Sequence, residues 1–151
     1  MKHMHYQRLL AMTVASYICM YILMYAMVDS FPNVLSNLNQ AYMAGLMAAS
    51  MVLIELALMG MMYPRKGLNV AIAAAGVVVL LGCWIAIRHQ TAIGDRQFLR
   101  SMIPHHGGAV LMCERAPIHD DQIKALCQGI ISGQKREIEQ MKAKLKTLDE
   151  S

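Results

Sequence analysis

The sequence predicts an all-α protein: three transmembrane helices followed by an outward-facing antiparallel helical hairpin, with two hairpins assembling into a four-helix bundle by dimerisation. Three observations carry this prediction. Residues 9–28 and 67–87 contain no Asp, Glu, Lys or Arg, and residues 41–63 contain one, Glu55. The stretch 89–151 instead holds most of the ionisable residues, and its apolar positions recur in steps of three and four. Pro117, followed by Asp120 and Asp121, divides that stretch into two helices.

Each apolar run has about 20 residues. At about 1.5 Å per residue it is long enough to cross the roughly 30 Å of a bilayer core. Hydrophobic residues make up 56% of the chain against 16% charged, and the two classes are segregated, which argues against an ordinary water-soluble globule. The first run is too long for a signal-peptide core and no small-x-small site precedes Asp29, so a retained helix is expected. Lys2 and Arg8 precede the first span, the loop 29–40 has no Lys or Arg, and Arg65 and Lys66 follow the second span. The positive-inside rule then puts the N-terminus in the cytoplasm and the C-terminal hairpin in the periplasm of a bacterial inner membrane. Arg88, Arg96 and Arg100 flank the last span on the other side and weaken the asymmetry without reversing it.

Two domains are expected, a three-helix membrane domain over 1–90 and a polar hairpin over 91–151. A tail of about 60 residues is marginal as an independent fold. It therefore needs a second copy, a metal or the membrane anchor to complete it. The lipid bilayer and a homo-oligomer are the expected partners. The net charge of +4 comes without any interleaving of basic and aromatic residues, and no nucleic-acid partner is expected.

In the tail, Asp95 is a plausible N-cap for a helix from Arg96 to about Ala116, with the stripe Phe98, Met102, His105, Ala109, Met112 and Ala116. Asp120 or Asp121 caps a second helix to about Leu148. Its stripe runs Ile123, Cys127, Ile130, Gln134, Glu137, Met141, Lys144 and Leu148. Gly129 and Gly133 within it allow a close neighbour. With the turn centred near residue 118, residue 105 lies level with 131–132 and residue 102 with 134–135. Pro104 removes a backbone hydrogen bond and predicts a bend. Gly107 and Gly108 each weaken the helix by about 1 kcal/mol relative to Ala. Local rules are usually broken at functional sites.

The chemistry sits at that weak point. Met102, His105, His106 and Met112 combine thioether and imidazole, a donor set that favours a soft monovalent metal, above all Cu(I). The whole chain has 15 methionines. The expected metal ligands are Met102, His105, His106 and Met112, with Met141 as a further thioether. Gln134 and Glu137 are polar where the stripe calls for apolar residues, and they are expected to orient the imidazoles from behind. Adjacent histidines diverge by about 100° on a helix, so using both calls for a second hairpin. No activated nucleophile or tuned acid–base pair is evident, so no enzyme is expected. Di-iron chemistry would need Glu-x-x-His motifs, and a structural zinc site a Cys/His quartet.

Cys19 and Cys83 lie in apolar runs and are expected to pack as small hydrophobes. Cys113 and Cys127 could be thiolate ligands, a disulfide or core. Without a CxxC pattern, core is the expectation.

The tail resembles the domain-of-unknown-function family 305. The matching residues are Asp95, Phe98-Leu99, Met102-Ile103-Pro104-His105-His106, Gly108-Ala109 and Met112, then Gln134, Glu137-Ile138 and Met141, within about 92–148. The resemblance implies a ferritin-like helical architecture. Because some members are periplasmic copper-binding proteins, it also implies copper at Met102, His105, His106, Met112 and Met141. The expected function is that of a membrane-anchored protein that buffers, sequesters or hands over Cu(I), with a copper donor or acceptor protein as partner.

Methionines also repeat in the spans: Met20, Met24 and Met27 in the first, Met43, Met47 and Met51 in the second. The spacing is similar to the Met-x-x-x-Met of eukaryotic high-affinity copper transporters, and a Met-lined transport path is the alternative function. Packing is the plainer reading of these residues. Glu55 is an intramembrane candidate because an ionisable group in a span is costly and usually faces protein. A structural oligomer with a polar seam is a third reading. Met1, His3, Met4 and His5 could bind copper, but chance clustering is the expectation there.

Overall fold

The computed structural model describes residues 2–150, with side chains from Met4 onward. Among the described residues all regular structure is helical: α1 (Lys2–Leu23), α2 (Leu38–Met59), α3 (Lys66–His89), α4 (Asp95–Arg115) and α5 (Asp121–Asp149). Short 3-10 turns follow α1 and α2, and another covers Phe31–Asn33. The cluster at Met1, His3, Met4 and His5 lies partly outside the described residues.

The chain divides into two units, each compact in itself. One comprises residues 1–24 and 39–91, the other 25–38 and 92–151. The expected division at residue 90 therefore needs an amendment: the loop between α1 and α2 folds with the tail.

In the first unit, three stretches are long and apolar enough to cross a membrane: Met4–Met27, Leu38–Met62 and Lys66–His89. Their surfaces expose large aliphatic side chains such as Leu10, Leu58 and Val78, as suits contact with lipid rather than water. The buried face of α2 is made of Ala44, Gly45, Ala48, Ala49 and Val52. Small residues at this spacing let helices approach closely. A Cβ on Gly45 would come within 2.9 Å of the Cys83 sulfur, and one on Gly76 within 3.1 Å of Leu53. Tyr6 donates a 2.8 Å hydrogen bond to Oδ1 of Asn69, and Gln40 donates to the Tyr21 carbonyl at 2.8 Å. These contacts tie the three helices to one another.

In the second unit, α4 and α5 run in opposite directions along each other: Cys113 meets Cys127, His106 meets Glu137 and Arg96 meets Asp149. Asp120 caps α5 by accepting a 2.9 Å hydrogen bond from the Ile123 amide. Gly94, not Asp95, is the cap residue of α4, and Asp95 opens the first turn, where a carboxylate still favours the helix dipole. The core is Leu99, Ile103, Ile138 and Leu145, with Leu35, Met141 and Leu148 packed against it. This corrects the expected seam. On α4 the buried stripe is Leu99, Ile103, His106 and Val110. On α5 it passes through Ile138 and Leu145, in place of Glu137 and Lys144. α4 is turned by one residue from its expected stripe, whereas α5 keeps Met141 and Leu148 and differs only where aliphatic groups fill the seam better than Glu137 and Lys144 would. The pairing is also shifted along the helices by one to two turns from the register expected around residue 118, as the Cys113–Cys127 and His106–Glu137 contacts show.

Candidate metal-binding face

The glycines after the His pair are explained by packing. A Cβ on Gly107 would lie 2.4 Å from Oδ1 of Asp29 and 3.2 Å from Val28. A Cβ on Gly108 would reach 3.4 Å from the Met27 carbonyl. The loop thus rests on the bare backbone of α4 here. Asn33 steadies it, donating a 2.7 Å hydrogen bond to Oδ1 of Asp29. Tyr25 donates to the Leu35 carbonyl at 2.8 Å, and the Leu38 amide donates to Gln97 at 3.0 Å. Asn33 is buried, and its own Oδ1 has no hydrogen-bond partner among the described residues. None of this docking was visible in the tail's pattern. The signal for it was the Gly-Gly pair itself, since a mid-helix Gly often marks a close approach.

The two histidines part ways. His106 is 7% exposed and its ring is fully engaged. Its Nδ1 lies 2.9 Å from the Met102 carbonyl, which can only accept, so Nδ1 carries a proton and donates. Its Nε2 lies 2.8 Å from Oε2 of Glu137. That contact needs one shared proton, either on the imidazole or on the carboxyl group. In both cases neither ring nitrogen has a lone pair left over for a metal. Glu137 itself is half exposed, at the edge of the seam, so its carboxylate keeps contact with solvent.

His105 points outward and makes no hydrogen bond among the described residues; its ring meets that of His106 edge-on, with centroids 5.9 Å apart. Met112 is 53% exposed and Phe98 50% exposed, with Met102 and Ala109 partly covered on the same side of α4. The stripe expected to form the seam is therefore the open face of the helix. Met141 is packed against the core, away from that face. Gln134 is within the seam, and its Oε1 is buried without a partner. Among the described residues no three His, Cys, Asp or Glu side chains cluster closely enough to hold a metal ion. In one copy of the chain, the expected ligand set of Met102, His105, His106, Met112 and Met141 is thus split over an open face, a committed imidazole and a core.

Cys113 and Cys127 form a disulfide with Cα atoms 5.2 Å apart, which corrects the expectation of plain core. Cys19 and Cys83 are free. Near this end Lys135 holds Glu114 at 2.7 Å, and that hydrogen bond raises the Lys135 ammonium above its ordinary range.

In the membrane-type unit, Glu55 is partly buried, and its Oε1 accepts a 3.0 Å hydrogen bond from Tyr63. It lies about one turn before the end of α2, and its partner follows on the same segment. Met51 is half-buried, whereas Met43 and Met47 are exposed.

The fold and this face define a class of small all-α protein: three helices apolar enough for a membrane, and a polar pair of helices bearing histidine and methionine. Residues 86–151 match the family described as domain of unknown function (DUF305). An uncharacterized protein of Acanthamoeba polyphaga mimivirus is 30% identical over 141 residues, with 91% of each chain covered. The similarity therefore extends beyond the tail into the apolar helices. The chain belongs to the DUF305 family. No solved structure matches it.

Proposed function

We propose that this is a membrane-anchored copper-binding protein that buffers, sequesters or hands over Cu(I) at the periplasmic face of a bacterial inner membrane, with its N-terminus in the cytoplasm. The observation that carries this reading is the open side of α4. There His105 has an unengaged ring, Met112 is exposed and Met102 stands one turn before His105. A thioether–imidazole set in reach of solvent is suited to capturing and releasing a soft monovalent ion. The reading involves binding without catalysis.

A single helix cannot close such a site. Seven residues separate His105 from Met112, about 10 Å along the axis. A second hairpin laid antiparallel on the first, with His105 opposite the partner's His105, completes it. Met102 then faces the partner's Ala109, and Phe98 faces the partner's Met112, pairing large with small and sulfur with an aromatic ring. Two imidazoles and two Met102 thioethers converge within a turn of the twofold axis, and the assembly is a four-helix bundle. His106 and Glu137 then act as a polar pair that sets the register of each hairpin, and Gln134 lies beside them. The disulfide supports an oxidising compartment for the tail, in agreement with the Lys and Arg distribution. A copper donor or acceptor protein is the natural partner for an ion held this openly.

The test is a Cu(I) titration of the full chain in detergent against a competing chelator. His105→Ala and Met102→Leu are expected to weaken binding at least tenfold with helical content unchanged. Equal affinity in wild type and both variants overturns the proposal.

A further inference from the structure

A second set of thioethers lies within the membrane-type unit. A groove of about 420 Å³ follows α2, with one residue of α1 in its lining. Met47, Met51, Glu55 and Met59 line it at steps of four along α2, and Met20 of α1 and Ser50 face the same space. Met43, Met24 and Met27 do not line it. The groove therefore gathers four of the chain's 15 methionines around its one carboxylate in an apolar helix.

One oxygen of the Glu55 carboxylate is committed and the other is left for a ligand. Tyr63 donates to Oε1 of Glu55, and Oε2 has no hydrogen bond among the described residues. An ionisable group facing a groove inside a membrane usually marks an ion or substrate site. Thioethers are neutral and soft, so they select monovalent Cu(I) or its congener Ag(I) over hard cations. Charge points the same way. One carboxylate neutralises one monovalent ion, which limits the cost of holding it in a low-dielectric medium, whereas a divalent ion would keep an uncompensated charge.

We propose that this groove is an intramembrane site for a single soft monovalent cation, held by Met20, Met47 and Met51 with Glu55 as its counter-charge. Met59 extends the thioether line toward the α2 terminus. The site is separate from the face of α4 and does not depend on it.

The test uses the full chain in lipid nanodiscs and Ag(I), which has no redox chemistry of its own here. The starting protein carries His105→Ala and Met102→Leu, so that the face on α4 is disabled, and Cys19→Ala and Cys83→Ala, so that no free thiol competes for Ag(I). Ag(I) is expected to bind this protein with one equivalent. Adding Met47→Leu and Met51→Leu, which conserve volume, is expected to weaken binding at least tenfold, as is adding Glu55→Gln alone. Adding Met43→Leu leaves it unchanged. No Ag(I) equivalent in the starting protein, equal binding after the Leu or Gln changes, or an equal loss with Met43→Leu each overturns the proposal. Because Glu55→Gln is tested independently of the paired Leu changes, a folding failure in one still leaves the other to decide.

Discussion

His106 and Glu137 face each other across the α4–α5 seam, with Nε2 2.8 Å from Oε2 while Nδ1 donates to the Met102 carbonyl. The histidine that the sequence pattern placed on the outside is the buried one, and its neighbour is free. This division predicts opposite phenotypes for the two. His106→Ala removes a buried, doubly hydrogen-bonded ring and is expected to cost about 1–3 kcal/mol of stability. His105→Ala, at an exposed position, is expected to change stability by less than about 0.5 kcal/mol. Thermal unfolding in detergent compares them; equal destabilisation would contradict the assignment.

A side chain at Gly107 should be destabilising. Its Cβ would enter the space held by Asp29 Oδ1 at 2.4 Å, and overpacking of this kind costs about 1–3 kcal/mol. Gly108, whose added Cβ would only touch the Met27 carbonyl at 3.4 Å, should accept Ala with little loss. Asp29→Ala is expected to relieve part of the Gly107→Ala penalty, and a double-mutant cycle on unfolding midpoints measures that coupling. Additive effects would mean that the loop does not rest on the helix at this point.

The disulfide gives a chemical count. Alkylation of the denatured chain without reductant should label two cysteines, Cys19 and Cys83, and all four after reduction. Closing a loop of 14 residues is worth about 3 kcal/mol in the chain-entropy account, so Cys113→Ser should lower the unfolding midpoint of the tail. Four labelled cysteines before reduction would remove the staple from the fold.

Metal should tie copies together if His105 forms a shared site. Adding Cu(I) is expected to shift the purified chain toward dimer in light scattering, and a chelator to reverse the shift. Met141→Leu should leave the shift intact, because that thioether packs against Leu99, Ile103, Ile138 and Leu145. A dimer insensitive to metal, combined with Cu(I) affinity unaffected by His105→Ala, would leave only the structural role of the polar seam.

The Cys pair shows how near the correct seam was to being legible. Cys113 continues the buried stripe of Leu99, Ile103, His106 and Val110 on α4. Cys127 shares the seam of α5 with Gln134, Ile138, Met141 and Leu145. Had the two cysteines been joined, the rotation of α4 would have followed, since Cys127 already lay on the expected stripe of α5. Taken alone, α4 is apolar over a wide arc, and steps of three and four fit Phe98–Met102–His105 as well as Leu99–Ile103–His106. Periodicity identifies a helix and its spacing but cannot choose between adjacent stripes when both are apolar.

Length, charge segregation and breaker residues settled the local features before any contact was known. Three apolar helices, a polar tail, a cap at Asp120 or Asp121 and the break at Pro117 all follow from properties of short segments; the structure puts the cap at Asp120. Which side of α4 is covered, which histidine is committed, and that Asp29 and Asn33 belong with the tail all required the packed chain. Those features depend on residues far apart in sequence competing for the same space: a loop carboxylate against a glycine backbone, and aliphatic side chains against Met and His for a dry seam.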